Sequence, residues 1–190
     1  MEPSLTDTLC TRCGLCCDGT LFADVELAGR AEATRLEVLG LEIEDDDGTR
    51  ALLVQPCRAL EGTRCGIYAH RPRCCRTFEC RLLQDVRGGA VGVDRAGEVI
   101  ADALERIGRV KELMARLGQR GRRLPLRERC AETLARETPA DPEVIRRRAE
   151  LEAAMSAVEA LIRTRFLGES GPDGPTCPSS PGRPGSDAPW

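Results

Sequence analysis

The sequence predicts an α+β protein whose chain divides into three segments of different composition. Nine of the eleven cysteines lie before residue 90, in a part that alternates short strand and helix patterns. Residues 93–168 are charged, nearly free of cysteine, and carry apolar side chains at helical spacing. Residues 169–190 are rich in Gly and Pro and cannot form a core. We therefore predict a small cysteine-cluster domain at 1–92, a helical extension at 93–168 and a disordered tail at 169–190.

The first segment contains short elements separated by turn residues. Residues 21–27 and 50–55 have the composition of short strands. Residues 28–39 have the pattern of a helix that a glycine ends. The acidic run 42–47 is predicted to be a loop, and a further helix is predicted over 77–89.

The extension is predicted to be helical throughout. Asp94 is a predicted N-cap for its first helix, and a short helix is predicted at 127–136. Asp141, followed by proline and glutamate, is a strong start signal for a long helix that ends near Gly168. We expect the apolar stripes to pack on each other or on the first segment, and the alternative is a dimer through these C-terminal helices. The stripes are Ile100, Leu104, Ile107, Met114 and Leu117, with Lys111 as a polar member, and Leu151, Met155, Val158 and Ile162.

The cysteines fall in two clusters whose spacing suits metal ligands. A spacing of three residues lets one tight turn point two thiolates at the same ion. Gly14 and Gly66 each follow a cysteine, which frees a backbone N–H to bond the sulfur. Adjacent Cys16 and Cys17 point in different directions, so either they serve two sites or only one is a ligand. The clusters are Cys10, Cys13, Cys16 and Cys17, and then Cys57, Cys65, Cys74, Cys75 and Cys80.

Composition and charge argue against several classes of protein. The N-terminus lacks the features of a signal peptide, and no stretch approaches the ~20 apolar residues of a membrane span. We therefore expect a cytoplasmic protein that does not enter a membrane, in which clustered cysteines bind metal rather than form disulfides. The net charge of −3 disfavours nucleic-acid binding. The single histidine, His70, excludes a site that needs two imidazoles.

The spacing of the cysteines is compatible with either zinc or iron. Cys-x-x-Cys-Gly is the form of a zinc knuckle, and all-thiolate tetrahedral sites suit zinc. Cys-x-x-Cys-x-x-Cys is the form of a 4Fe–4S loop, and this run slightly favours iron. Asp18 stands where a ferredoxin run continues towards its fourth cysteine, so a distant cysteine would have to complete such a site.

Arginines near the cysteines could compensate the negative charge of thiolate–metal centres. The alternatives are a merely arginine-rich composition and an anionic substrate held by one or two of them. These arginines are Arg12, Arg58, Arg64, Arg71, Arg73, Arg76 and Arg81.

The combined motifs resemble the YkgJ-like CxxCxxCC cysteine-cluster family, whose members are described as zinc- or iron-chelating proteins. The resemblance covers about residues 10–85 and includes CTRCGLCC, Cys-Gly-Ile-Tyr from Cys65, Arg71-Pro72 and Cys75-Arg-Thr-Phe. It implies eight ligand-type cysteines, with Cys74 as an extra one. Cys130 and Cys177 are expected to be incidental. The eight are Cys10, Cys13, Cys16, Cys17, Cys57, Cys65, Cys75 and Cys80.

The expected function is metal binding through all-cysteine sites, with iron, as a 4Fe–4S cluster, or zinc as the cofactor. The metal would be structural or support electron transfer. Because some relatives of this domain occur in flagellin lysine-N-methylases, the resemblance also implies an alternative: an iron–sulfur enzyme such as a protein lysine methylase or a redox enzyme. A metal chaperone or store is a third hypothesis. The sequence does not identify a protein partner or a substrate.

Overall fold

The computed structural model describes residues 4–46, 48–119, 121, 123–136 and 141–168. These residues have an α+β fold, as predicted, in which helices surround a larger core and a small sheet borders a second one. The tail predicted at 169–190 lies outside the described residues, and so does Cys177.

The main sheet has three antiparallel strands in the order β1-β3-β2. The strands are β1 (Asp24–Glu26), β2 (Ile43–Asp46) and β3 (Arg50–Val54), and helix α2 spans Arg30–Val38. The strands predicted at 21–27 and 50–55 and the helix predicted at 28–39 are thus confirmed with shorter bounds. Helix α2 packs on β3, where Leu36 and Leu53 are fully buried. The second core is small, so the sheet region buries little apolar surface of its own.

The prediction of a loop at 42–47 is wrong, because most of this acidic run forms strand β2. Its position explains how carboxylates are accommodated in a strand. β2 lies at the edge of the sheet, where charged side chains face water. Asp45 accepts a hydrogen bond from Arg30 at 2.8 Å, and Ile43 packs against the second core. Asp47 lies outside the described residues.

The remaining helices follow, and all of them except the short helix Arg73–Thr77 contribute side chains to the larger core. They are α1 (Leu5–Cys13), α3 (Arg73–Thr77), α4 (Arg81–Arg87), α5 (Val93–Arg116), α6 (Leu126–Ala135) and α7 (Pro142–Ile162), which continues as a π-helical turn over Arg163–Leu167. A short hairpin of β4 (Leu60–Glu61) and β5 (Arg64–Cys65) and a 3-10 turn (Tyr68–His70) precede α3. Helix α5 packs along α7, and the core also takes side chains from α1 and α4. The division of the chain at 92/93 stays a prediction.

The starts of the two long helices test the predicted caps. Asp141 caps α7 as predicted, because its carboxylate accepts the N–H of Glu143 at 2.8 Å. The predicted cap of α5 is wrong. Gly92 precedes the helix, and Asp94 lies in its first turn, where a carboxylate interacts favourably with the helix dipole.

The buried face of α5 is rotated relative to the predicted stripe. Ile100, Ile107 and Met114 are buried as predicted, but the core also takes Val110, and Lys111 is exposed. Ala103 and Val110 are buried where the predicted stripe had Leu104 and Lys111, so the lysine lies at the edge of the buried face. Its ammonium group instead reaches the loop that follows α1.

Glu32 of α2 ties the sheet region to the segment that carries α3. Its Oε1 accepts the N–H of Arg73 at 2.9 Å, and its Oε2 accepts the N–H of Ala28 at 2.9 Å. The carboxylate is only 10% exposed. Two charge-assisted bonds to backbone N–H groups in a nearly buried place make this side chain a strong link between the two segments.

Replacing Glu32 by alanine is expected to lower the free energy of unfolding by about 1–3 kcal/mol, because two backbone N–H groups lose their acceptor. Urea unfolding of the metal-loaded protein measures this change. Glu37→Ala is the control on the same helix, since that carboxylate is 41% exposed and 3.9 Å from Arg30. Equal losses in the two variants would contradict the role given to Glu32.

Candidate metal centre

The end of helix α1 determines where the first cysteines lie. Cys10 and Cys13 occupy its last turns, and the helix ends at Gly14, whose φ of 71° favours glycine. The chain then turns tightly, and the N–H of Cys17 donates to the Gly14 carbonyl at 2.9 Å. This turn brings Cys16 and Cys17 back beside the helix.

Leu15 anchors the same turn in the larger core. Its side chain is fully buried, and its carbonyl accepts the N–H of Leu21 at 3.1 Å. The N–H of Leu15 donates to the sulfur of Cys13. An N–H bond of this kind stabilises a thiolate, which is the form that ligates metal.

Four cysteines gather at the edge of the larger core, and we name them the first cysteine group. All four pack against that core. Charge on Cys80 would raise the pKa of each of the other three, so its sulfur lies near all of them. Cys80 is the N-cap residue of helix α4, and the nearby N–H groups of Leu83 and Leu82 oppose the rise that burial causes in the pKa of its thiol. The first cysteine group is Cys10, Cys13, Cys16 and Cys80.

Four other cysteines do not pack against the larger core, and we name them the second cysteine group. Charge on Cys57 or Cys65 would raise the pKa of Cys17, and charge on Cys17 or Cys57 would raise the pKa of Cys75, so these four sulfurs lie in one neighbourhood. The N–H of Cys57 also donates to the Cys17 carbonyl at 2.8 Å. Cys17 and Cys57 both belong to the smaller core, whereas the first cysteine group packs on the larger one. The second cysteine group is Cys17, Cys57, Cys65 and Cys75.

The two cysteine groups meet in the sequence at Cys16 and Cys17, which are adjacent residues. Cys16 faces the larger core and Cys17 the smaller one, although their sulfurs remain electrostatic neighbours. Successive side chains that leave a tight turn point to different sides of the backbone. The arrangement therefore separates the eight predicted ligands into two sets of four.

Cys74 and Cys75 differ in their surroundings. Cys74 is buried in helix α3 with 4% of its surface exposed, whereas Cys75 is half-buried and faces the second cysteine group. A hydrogen bond between the two thiols and burial both raise the pKa of Cys75. Cys74 is thus a supporting neighbour of the second cysteine group.

Burial keeps these sulfurs protonated when no cation is near. It raises the pKa of Cys10 to about 11 and those of Cys13 and Cys17 to about 12, with charge on neighbouring cysteines adding to the shift. The pKa of Cys16 is also raised well above its ordinary value, by burial and by charge on neighbouring cysteines. A bound cation reverses this preference, because it replaces the protons on the sulfurs.

The donor set fits zinc or iron, since both groups consist of soft sulfur ligands. In the part of the chain that the structure describes, no three potential ligand side chains already surround one point in a geometry suited to an ion. All ten cysteines in the described residues are free, so none is withdrawn into a disulfide.

Arg71 supplies positive charge to both groups. Its guanidinium lies 3.6 Å from the centre of the Tyr68 ring, and its Nε donates to the Tyr68 carbonyl at 3.2 Å. The Tyr68 hydroxyl donates to Asp7 at 2.8 Å, which ties this stack to α1. The positive charge of Arg71 partly opposes the rise that burial causes in the pKa of Cys10 and of Cys17, one cysteine from each group.

The other arginines near the cysteines divide into two kinds. Arg58 and Arg81 form ion pairs with Glu42 and Asp85, so their charge is already balanced. The rest form no ion pair with any side chain in the described residues. Those unpaired arginines are Arg12, Arg64, Arg71, Arg73 and Arg76. Four of them lie between residues 64 and 76, in the segment that carries Cys65 and Cys75, where thiolates bound to metal would need positive charge nearby.

Sequence reasoning missed three features of the site. It did not connect Cys80 with the first cysteine cluster, because no local spacing links residues so far apart. It treated Asp18 only as a departure from the ferredoxin pattern, and it placed Lys111 on an apolar stripe. It expected His70 in a turn, and the 3-10 turn places that side chain in solvent. The only sequence signal for Lys111 was that it is the one polar residue in the predicted apolar stripe.

Residues 9–94 match a family model, CxxCxxCC, with the description "Putative zinc- or iron-chelating domain". The match covers all eight cysteines of the two groups and ends at the start of α5. The comparisons with curated proteins and with solved structures give no match. Among the described helices, none combines the length and the apolar composition needed to cross a bilayer.

Proposed function

We propose, from the premise that residues 9–94 form a CxxCxxCC domain, that the protein binds metal in two four-thiolate centres, one in each cysteine group. The observation that supports this proposal is that Cys10, Cys13, Cys16 and Cys80 pack against the larger core, whereas Cys17 and Cys57 pack in the smaller one. Four thiolates are a full tetrahedral set for one zinc ion, or one thiolate for each iron of a 4Fe–4S cluster.

The first cysteine group fits an iron–sulfur cluster better than the second does. It combines the run Cys-x-x-Cys-x-x-Cys with a remote fourth cysteine, Cys80, which is the form that such clusters take. Its helix-capping position gives Cys80 N–H donors, and hydrogen bonds to sulfur tune the potential of a bound cluster. The second cysteine group draws its cysteines from four separate segments of the chain and fits zinc or a second cluster.

The metal is proposed to be structural or to support electron transfer, in a reducing cytoplasm. An enzyme centre keeps an open coordination position for substrate, and two complete sets of four thiolates leave none. A metal store needs exposed, exchangeable thiols, yet each of the eight cysteines is buried or half-buried. These two observations favour closed centres over the methylase, redox-enzyme and store alternatives.

The experiment is metal and sulfide analysis of full-length protein purified without oxygen, together with its visible spectrum. Four iron and four sulfide per chain with broad absorption near ~400 nm would support a cluster in the first cysteine group. A colourless protein with two zinc ions per chain would keep the two centres and overturn the cluster. Protein that binds no metal after refolding with zinc, or with iron and sulfide, would overturn the proposal as a whole.

A further inference from the structure

The loop that follows the CxxCxxCC run carries a negative charge in an unfavourable place. Asp18 directly follows Cys17, its side chain is 18% exposed, and its N–H donates at 3.1 Å to the carbonyl of Gly14, the residue after Cys13. These two cysteines belong to different groups. A thiolate–metal centre with four cysteines carries about −2, so the carboxylate of Asp18 opposes charge build-up at both centres.

Helix α5 provides the opposite charge. The Nζ of Lys111 lies 3.3 Å from Oδ2 of Asp18, and this is the only lysine of the chain. The other oxygen, Oδ1, accepts the N–H of Thr20 at 3.0 Å and so holds the carboxylate in the turn. Asp18 therefore cannot rotate away from the cysteines without losing a bond inside its own loop.

The same loop is also held by the segment before α6. The N–H of Leu126 donates to the carbonyl of Gly19 at 3.2 Å. Gly19 has a φ of 77°, and a Cβ at this residue would approach the Cα of Pro125 to 3.0 Å. The extension thus contacts the loop in two ways, by the ion pair of Lys111 with Asp18 and by the close approach of Pro125 to Gly19. Both contacts lie immediately after the last cysteine of the run.

We propose that Lys111 is a positioning residue for the metal centres: from the helical extension, its ammonium neutralises Asp18 and thereby raises the metal affinity of both cysteine groups. This inference rests on the proposed function, because it concerns how tightly the two centres hold metal. It gives the extension, which lies beyond the CxxCxxCC domain, a direct part in metal binding.

Zinc titration of the metal-free full-length protein, in competition with a chromogenic chelator, tests this role. Lys111→Met is expected to weaken zinc binding about three- to tenfold, the effect of losing one partly exposed charge pair near a charged centre. Asp18→Asn is expected to bind zinc at least as tightly as the wild type. The double variant is expected to match Asp18→Asn within about twofold, because the lysine has nothing left to neutralise.

Arg109→Met is the matched control, since this arginine lies on the same helix and pairs with Glu150 of α7 at 3.6 Å. It should leave zinc affinity unchanged. The melting temperature of the metal-free protein is the second readout, and Lys111→Met should change it no more than the control does. Unchanged affinity in Lys111→Met, an equal loss in the control, or a loss explained by metal-free destabilisation would each overturn the inference. A wild type that binds no zinc would instead overturn the proposed function.

Discussion

Cys13→Ser is expected to lower the metal content of the protein by one centre while leaving the other in place. Its sulfur belongs to the first cysteine group, and a serine hydroxyl is a poor substitute for a thiolate. Cys65→Ser is expected to empty the second centre in the same selective way. Both variants should melt at lower temperature than the wild type, because metal-binding free energy is also folding free energy.

The measurement is metal content per chain of each variant, with thermal unfolding followed by circular dichroism. We expect the Cys65→Ser variant to lose more structure in the sheet region, since the smaller core buries little apolar surface without its metal. Cys177→Ser is the control and should change neither metal content nor melting temperature. Loss of both centres in each single variant would mean one shared centre, and full metal content in either would refute that ligand assignment.

Cys75→Ser is expected to lose the metal of the second cysteine group, whereas Cys74→Ser is expected to retain it. Cys75 has Cys17 and Cys57 as electrostatic neighbours, while the side chain of Cys74 is buried in α3. A serine at a buried cysteine position adds a hydroxyl that needs a partner, so Cys74→Ser should cost about 1–3 kcal/mol of stability. Comparison of these two variants thus distinguishes the loss of a metal ligand from the loss of packing.

Metal analysis and urea unfolding of the two variants give the result directly. The two substitutions are chemically identical and one residue apart, so each is the control of the other. The opposite pattern, with metal lost only in Cys74→Ser, would exchange the two assignments. Loss of metal in both would mean that α3 as a whole, and not one thiol, determines binding.

The elements that the sequence predicted well are those whose signals are local. Asp141 and the proline after it predicted where α7 begins. A helix cap is a local feature, because the capping side chain bonds to N–H groups only two or three residues further along. The strand at residues 50–55 was predicted by its apolar composition. The acidic run at 42–47 was misread because composition alone does not reveal an edge position or the partner Arg30.

The cysteine motifs themselves follow the same rule. The spacing of Cys10, Cys13 and Cys16 is local, and it predicted that these thiols share one side of a turn. Nothing local distinguished Cys74 from Cys75, and the motif alone left the role of Cys17 beside Cys16 open. Cys16 and Cys17 are distinguished by the core that each packs against, and Cys74 and Cys75 by their different burial.

The sequence by itself determined the α+β class, the sulfur chemistry of the site and the helices of the extension. Each depends on residue type and short-range spacing, which the chain displays directly. Only the tertiary structure decided that Cys80 joins the first cysteine group, that Cys17 joins the second, and that Lys111 meets Asp18. These contacts join residues tens of positions apart, and they form because two hydrophobic cores bring separate segments together, a result that no local spacing encodes.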